Sequence, residues 1–231
     1  MNLTAMKSRS SWLFSFADMV TLLITFFIMM IVLNKGEITR LQKWSERQLD
    51  QTYLALQAQM QQQGLDQTFA LSRTPKGLSL SMRQPNAFIQ GGFEPTEKMA
   101  QHIGQLARLL VELAVFDLSQ QPLPGPIARY VKKEGYRWQA ALRIEGHTDN
   151  DRIDPRSRLR NNWFLSTMRA QAVRQIMADA AKIEPWLVIA GFGAQRPIAS
   201  NQTPAGRAKN RRITLTLSAS FERRPPTNAP S

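Results

Sequence analysis

Asp18 is the only ionisable residue between Trp12 and Leu33, in a run that reads WLFSFADMVTLLITFFIMMIVL. About 20 apolar residues are enough to cross a bilayer as a helix. A carboxylate there costs roughly 2.5–3.5 kcal/mol on insertion scales, so it faces a protein interior or a wet cavity and marks an ion or proton path. At about 100° per residue, Ser15, Asp18, Thr21 and Thr25 share roughly one third of the helix circumference. The chemistry this allows is reversible protonation of a carboxylate flanked by hydroxyls. A proton is the expected ion, because sodium wants several oxygen ligands and a partner would have to supply most of them. Sodium is the alternative. A polar stripe of this kind needs partner helices or a hydrated channel to face.

A plain membrane anchor with a silent Asp18 is the competing reading. A signal sequence fits poorly, because the apolar run exceeds the usual 7–15 or so residues and no small-x-small site follows it. The chain continues instead as Asn34-Lys35-Gly36-Glu37.

Elsewhere the residue types argue against enzymatic chemistry. Ser166 has no His within its motif, His147 stands alone in a turn, and no pair of acids has spacing suited to hydrolysis. There is no cysteine and there are two histidines, which excludes disulfides and argues against a zinc site. No metal or cofactor is expected, apart from the transported ion.

Net charge is +13, and its distribution is uneven. Residues 129–231 hold 19 Lys+Arg against 8 Asp+Glu, whereas residues 1–128 hold 11 against 9. The C-terminal part should therefore meet something anionic, such as a cell-wall polymer, lipid headgroups or nucleic acid. Nucleic acid is disfavoured: no binding signature appears, and aromatics do not interleave with the basic residues. Lys7 and Arg9 precede the span while Lys35, Arg40, Lys43 and Arg47 follow it, so charge does not set the topology.

Several elements must position these groups. After the span, Ile38, Leu41, Trp44, Leu49, Tyr53, Leu56 and Met60 form a modest apolar stripe on a helix, suited to a plug or to contact with a second copy. Its Gln-rich end and Gly64 read as a flexible linker. A folded domain is expected from about Arg73. Gly77–Met82 alternates as an edge strand, and a loop with Gly91, Gly92 and Pro95 leads into a helix with Met99, Ile103, Leu106, Leu110 and Leu113 inward. Residues 119–136 read as a Pro-rich loop. Arg137–Gly146 is a strand, Asn161–Ala181 a helix with Leu165, Ala172, Val173, Ile176 and Met177 inward, and Trp186–Ala190 and Arg212–Ser218 are strands. The order β-α-β-α-β-β predicts an α+β domain, a small sheet with two helices on one face.

Four ordered strings carry a resemblance: EGHTDN (Glu145–Asn150), NNWFLSTMRAQAV (Asn161–Val173), GFGAQRPIASN (Gly191–Asn201) and GRAKNRRI (Gly206–Ile213). From roughly Leu71 to Ala219 the chain resembles OmpA-like peptidoglycan-binding domains. WLFSFADMVTLLITFF in turn resembles the membrane helix of flagellar motor stator B subunits (MotB/PomB-like), whose essential aspartate matches Asp18. The resemblance implies a single-pass protein of the bacterial inner membrane, a homodimer working with a multi-span stator A-type subunit. Residues 1–11 would be a cytoplasmic tail, 12–33 the transmembrane helix, 34–70 a periplasmic plug or linker helix, 71–219 the OmpA-like domain and 220–231 a disordered tail.

It also implies that Asp149 and Arg169 grip the diaminopimelate of the wall's stem peptide, an acid for the ammonium and an Arg fork for the carboxylate. Thr148 and Asn162 would be hydrogen-bonding neighbours, with Arg207, Asn210 and Arg211 close to the same pocket. The machine is expected to be an ion-driven stator. A static wall anchor and a stator-like subunit of a non-flagellar system, such as anti-phage defence, are the alternatives.

Overall fold

Helix α1 runs unbroken from Leu3 to Gln62 in the computed structural model, which describes residues 3–82, 87–89, 92–116, 123–154 and 156–223. Its stretch Trp12–Val32 is long and apolar enough to cross a membrane, and no part of it is buried against the rest of the chain. At a rise of about 1.5 Å per residue, Leu41 lies only about 13 Å beyond Val32, yet it is already buried. From there Leu41, Trp44, Leu49, Leu56 and Met60 are all buried. The stripe read from sequence is thus covered by the chain's own C-terminal domain. The side chain of Ile38 lies outside the described residues.

No flexible linker follows. Gly64 takes φ +69°, a left-handed conformation that ends the helix at little cost for glycine. A 3₁₀ turn at Leu65–Gln67 leads directly into β1, Phe69–Thr74. The remaining elements are β2 (Gly77–Met82), α2 (Glu97–Val111), α3 (Gly125–Glu134), β3 (Tyr136–Gly146), α4 (Asn162–Ala181), β4 (Leu187–Gly191), α5 (Pro204–Asn210) and β5 (Ile213–Arg223).

The five strands form one sheet in the order β1-β2-β5-β3-β4. All pairs are antiparallel except β3 with β4, which are parallel and joined through α4. Three details depart from the sequence reading. β2 is an interior strand, because β1 covers its outer side. Residues 125–134, expected as loop, are α3; residues 119–122 of that expected loop lie outside the described residues. Ser220, Phe221, Glu222 and Arg223 belong to β5 rather than to a disordered tail, while residues 224–231 lie outside the described part.

One face of the sheet is apolar because every second residue is. Leu142 stands opposite Leu217, and Ile144 opposite Leu215, on β3 and β5; Leu78 and Leu80 extend the row across β2. Onto this face pack Met99, Ile103, Leu106 and Leu110 of α2, Ala170, Val173 and Met177 of α4, and Leu49, Leu56 and Met60 of α1, in one continuous core. Burying one such side chain stabilises by about 1.5–3 kcal/mol, so the part of α1 from Leu41 to Met60 belongs to the domain.

A second cluster sits at the far end of the long β3–β5 ribbon. Trp138 and Phe221 face each other in register, with ring centroids 5.2 Å apart. Trp44 lies against both, at 5.4 Å edge to face with Trp138 and 5.5 Å from Phe221. The Trp138 indole N–H donates to the Val115 carbonyl at 2.7 Å, so its polar edge is satisfied. Ile127 of α3 closes the cluster beside Leu41.

Candidate functional site

The C-terminal ends of β3 and β4 meet the first turn of α4. The fit is close enough that a Cβ on Gly146 would collide with the Ser166 carbonyl. Asn161 caps α4, its side chain accepting from the Phe164 N–H at 2.8 Å. Ser166, fully buried, donates its hydroxyl to the Trp163 carbonyl and accepts from Gly193 N–H at 3.0 Å. These contacts pin the turn that follows β3, where His147, Thr148 and Asp149 are all buried.

Within that turn the expected residues converge. The Asp149 carboxylate accepts from Arg211 Nη1 at 2.6 Å through Oδ2 and from Asp151 N–H at 3.3 Å through Oδ1. The Thr148 hydroxyl donates to the Asp149 carbonyl at 2.9 Å. Asn162 Nδ2 donates to the carbonyls of Asp149 and Asp151, at 3.3 and 2.8 Å. Thr148 and Asn162 therefore shape the backbone that presents Asp149.

Arg169, on α4, reaches across to the segment before α2. Its Nε and Nη2 both donate to the Gly92 carbonyl, at 3.2 and 3.0 Å, and its guanidinium lies over the Phe88 ring at 4.9 Å. Burial pushes its pKa below the ordinary arginine value, while Asp149 nearby pulls it up and Arg211 pushes it down. An arginine stays charged through such shifts. The site is thus one buried carboxylate paired with Arg211, with the Arg169 guanidinium close enough to feel both charges.

Arg207 stands at the rim, with Nη1 donating to the Asn201 carbonyl at 3.0 Å and Nε 3.7 Å from Asp151 Oδ2. Asn210 does not face the pocket. It is fully buried, with its Oδ1 accepting from Ile198 and Ala199 N–H and its Nδ2 donating to the Ala199 carbonyl and to Asn201 Oδ1. Its amide holds the 198–201 loop and is closed to a ligand.

Sequence reasoning did not find Phe88 and Gly92, because Gly92 and Arg169 lie 77 positions apart and no local signal announces their contact. Nor did it find that His147 stacks on Phe192 at 5.4 Å, with Arg196 over the far ring at 3.7 Å. Burial first, then the charges of Arg212 and Arg196, lower the His147 pKa from 6.5 to about 4. Its Nε2 lies 3.9 Å from Glu145 Oε2, but a neutral imidazole makes no ion pair at neutral pH. Burial likewise lowers the pKa of Arg212, opposed by Glu145.

On the membrane segment, Asp18 is exposed on an unpartnered helix and lines a shallow depression with Phe14, Ser15, Ala17 and Thr21. Thr21 donates its hydroxyl back to the Asp18 carbonyl at 2.8 Å, and Thr25 donates to the carbonyls of Thr21 and Leu22 at 2.7 and 2.9 Å. Their donor hydrogens are spent within the helix, which leaves the oxygens as acceptors beside Asp18.

Comparison with known proteins agrees with both halves. Residues 4–47 match the family described as membrane MotB of the proton-channel complex MotA/MotB, and residues 115–211 match the OmpA family. The chain is thus similar to MotB proteins in its N-terminal part and to the OmpA family in its C-terminal part. Motility protein B of Bacillus subtilis is 40% identical over 75 residues, which is 32% of this chain but 28% of that protein. The uncharacterized protein YtxE of the same organism is 22% identical across 93% of this chain and 90% of its own length. A putative MotB like protein from Desulfovibrio vulgaris has the same fold, with a TM-score of 0.59 at 21% identity, over 80% of this chain and 99% of that one. The fold is α+β, as the strand and helix pattern predicted.

Proposed function

We propose that this MotB-like chain is a stator subunit of an ion-driven membrane motor. Asp18 carries protons at the interface with a multi-span partner, and the Asp149 pocket grips peptidoglycan to hold the assembly still. The chain works as a homodimer in the inner membrane, with the C-terminal domain in the periplasm. The supporting observation is the union, in one chain, of a membrane helix bearing a single carboxylate with a domain whose buried Asp149 is flanked by Arg211 and Arg169. A motor needs a static half. One helix in a fluid bilayer cannot resist torque, whereas a grip on the wall can.

In the pocket, diaminopimelate would bring an ammonium to Asp149 and a carboxylate to Arg169. A carboxylate has several lone-pair sites, so Asp149 can hold Arg211 and the ammonium together. Each charge-assisted hydrogen bond is worth roughly 1.5–3 kcal/mol.

The test is a pulldown of the full chain in detergent with purified sacculi, at low and high salt. Asp149→Ala and Arg169→Ala should each weaken binding about tenfold or more, with wild-type binding surviving salt that screens surface charge. Equal binding by all three proteins, or loss of wild-type binding in salt, would leave only surface electrostatics.

A further inference from the structure

We propose that the groove beside the Asp149 pocket is a saccharide subsite, with the Trp163 indole as its stacking platform. This deepens the wall-binding reading above and rests on it. Outside the membrane span, Trp163 is the only exposed aromatic among the described residues, at 61%. It borders a groove of about 740 Å³ lined also by Arg152, Asp154, Asn162, Phe192 and Gln195. An exposed flat aromatic ringed by planar amide and charged side chains suits a pyranose ring. The C–H face of the sugar packs on the negative face of the indole, and the side chains bond its hydroxyl and acetamido groups.

The platform is fixed in place. Its carbonyl accepts from Ser166 and Thr167 hydroxyls at 2.8 and 3.0 Å, so binding need not order its backbone. Gly193, at φ +51°, lies against the Trp163 backbone, where a Cβ would press on its nitrogen at 3.2 Å. The groove's charge is mixed, with Asp154 among the arginines, and the Arg160 guanidinium is drawn over the Phe164 ring at 5.8 Å. That favours a neutral sugar over a polyanion.

Continuity with the peptide pocket selects the ligand. Asn162 lines the groove while its Nδ2 bonds the Asp149 and Asp151 carbonyls. Gly193 lines it while its carbonyl accepts from Thr148 N–H at 2.9 Å. The two sites share a wall, and in peptidoglycan a stem peptide is covalently joined to an N-acetylated sugar. A peptide gripped at Asp149 and Arg169 therefore brings a sugar to this side of the domain.

The experiment uses the full chain in detergent and two separate probes. One is glycan strands stripped of peptide by amidase digestion; the other is a free stem tripeptide ending in diaminopimelate. Glycan strands should bind the wild type, lose about tenfold or more with Trp163→Ala, and keep most of their affinity with Trp163→Phe, which retains a stacking face. The tripeptide should bind wild type and Trp163→Ala alike, which also shows that the variant is folded. Failure of the glycan strands to bind the wild type, or equal glycan binding by Trp163→Ala, overturns the subsite. Glycan binding without tripeptide binding would support the subsite and overturn the diaminopimelate reading instead.

Discussion

The indole of Trp44, on the helix that leaves the membrane, meets the indole of Trp138 edge to face at 5.4 Å. That contact joins two segments of very different character into one packed body. Trp44 is 5% exposed, so the joint is built like a protein core.

Removing this side chain should loosen the membrane-proximal helix from the sheet. Trp44→Ala is expected to lower stability by about 3 kcal/mol, as large aromatic truncations in cores do. A downward shift of the urea midpoint, followed by circular dichroism, would show it. Amide exchange should also quicken along residues 41–60 before it quickens in β3 and β5. An unchanged midpoint would mean that the contact contributes nothing.

Arg211 and Asp149 form a charge pair with the acid almost fully buried and the arginine 39% exposed. Arg211→Ala strands a buried carboxylate, which should destabilise the domain by roughly 1–3 kcal/mol, below the loss for a fully buried pair because solvent reaches the site. Arg211→Lys should recover part of it. A thermal melt at neutral pH would read both. Asp149→Asn together with Arg211→Ala should lose less than the sum of the single changes, because neither variant then leaves a lone charge.

Stability should also depend on pH through His147. Its folded pKa is lowered to about 4, so between about 6.5 and 4 the unfolded chain binds a proton that the folded chain refuses. The contribution is fully present above pH 6.5 and is lost as pH falls toward 4, at most about 3 kcal/mol. His147→Gln should flatten the profile across that window. A variant that keeps the wild-type slope would assign the dependence to other groups.

Much of this architecture was readable before any coordinates, and the exceptions have physical reasons. Alternation in GLSLSM and RITLTLS announced β2 and β5, and the spacing of Met99, Ile103, Leu106 and Leu110 announced α2. Prolines hid α3. Pro124 and Pro126 look like breakers, yet they occupy its N-cap and first turn, where no N–H is required. Ile127, Tyr130 and Val131 carried the helical spacing all along. β1 was hidden differently: in FALSRT only Phe69 is buried and the rest face partly outward, so no alternation appears. The stripe on α1 was visible, but not that its partner was the chain's own Trp138 and Phe221. The pocket's acid and arginine came from a family resemblance. The same resemblance put Arg211 near the pocket, but its pairing with Asp149 and the hold of the Gly92 carbonyl on Arg169 came only with the fold.

The proposed role of Asp18 as the ion carrier is open to direct measurement. The most direct measurement is proton flux into vesicles holding the chain co-expressed with its multi-span partner, comparing wild type with Asp18→Asn. The substitution keeps the shape and removes the titratable group. Flux is expected in the wild type and none in Asp18→Asn, with both proteins inserted at equal levels, and reduced flux in Asp18→Glu. Equal flux from wild type and Asp18→Asn would contradict that role.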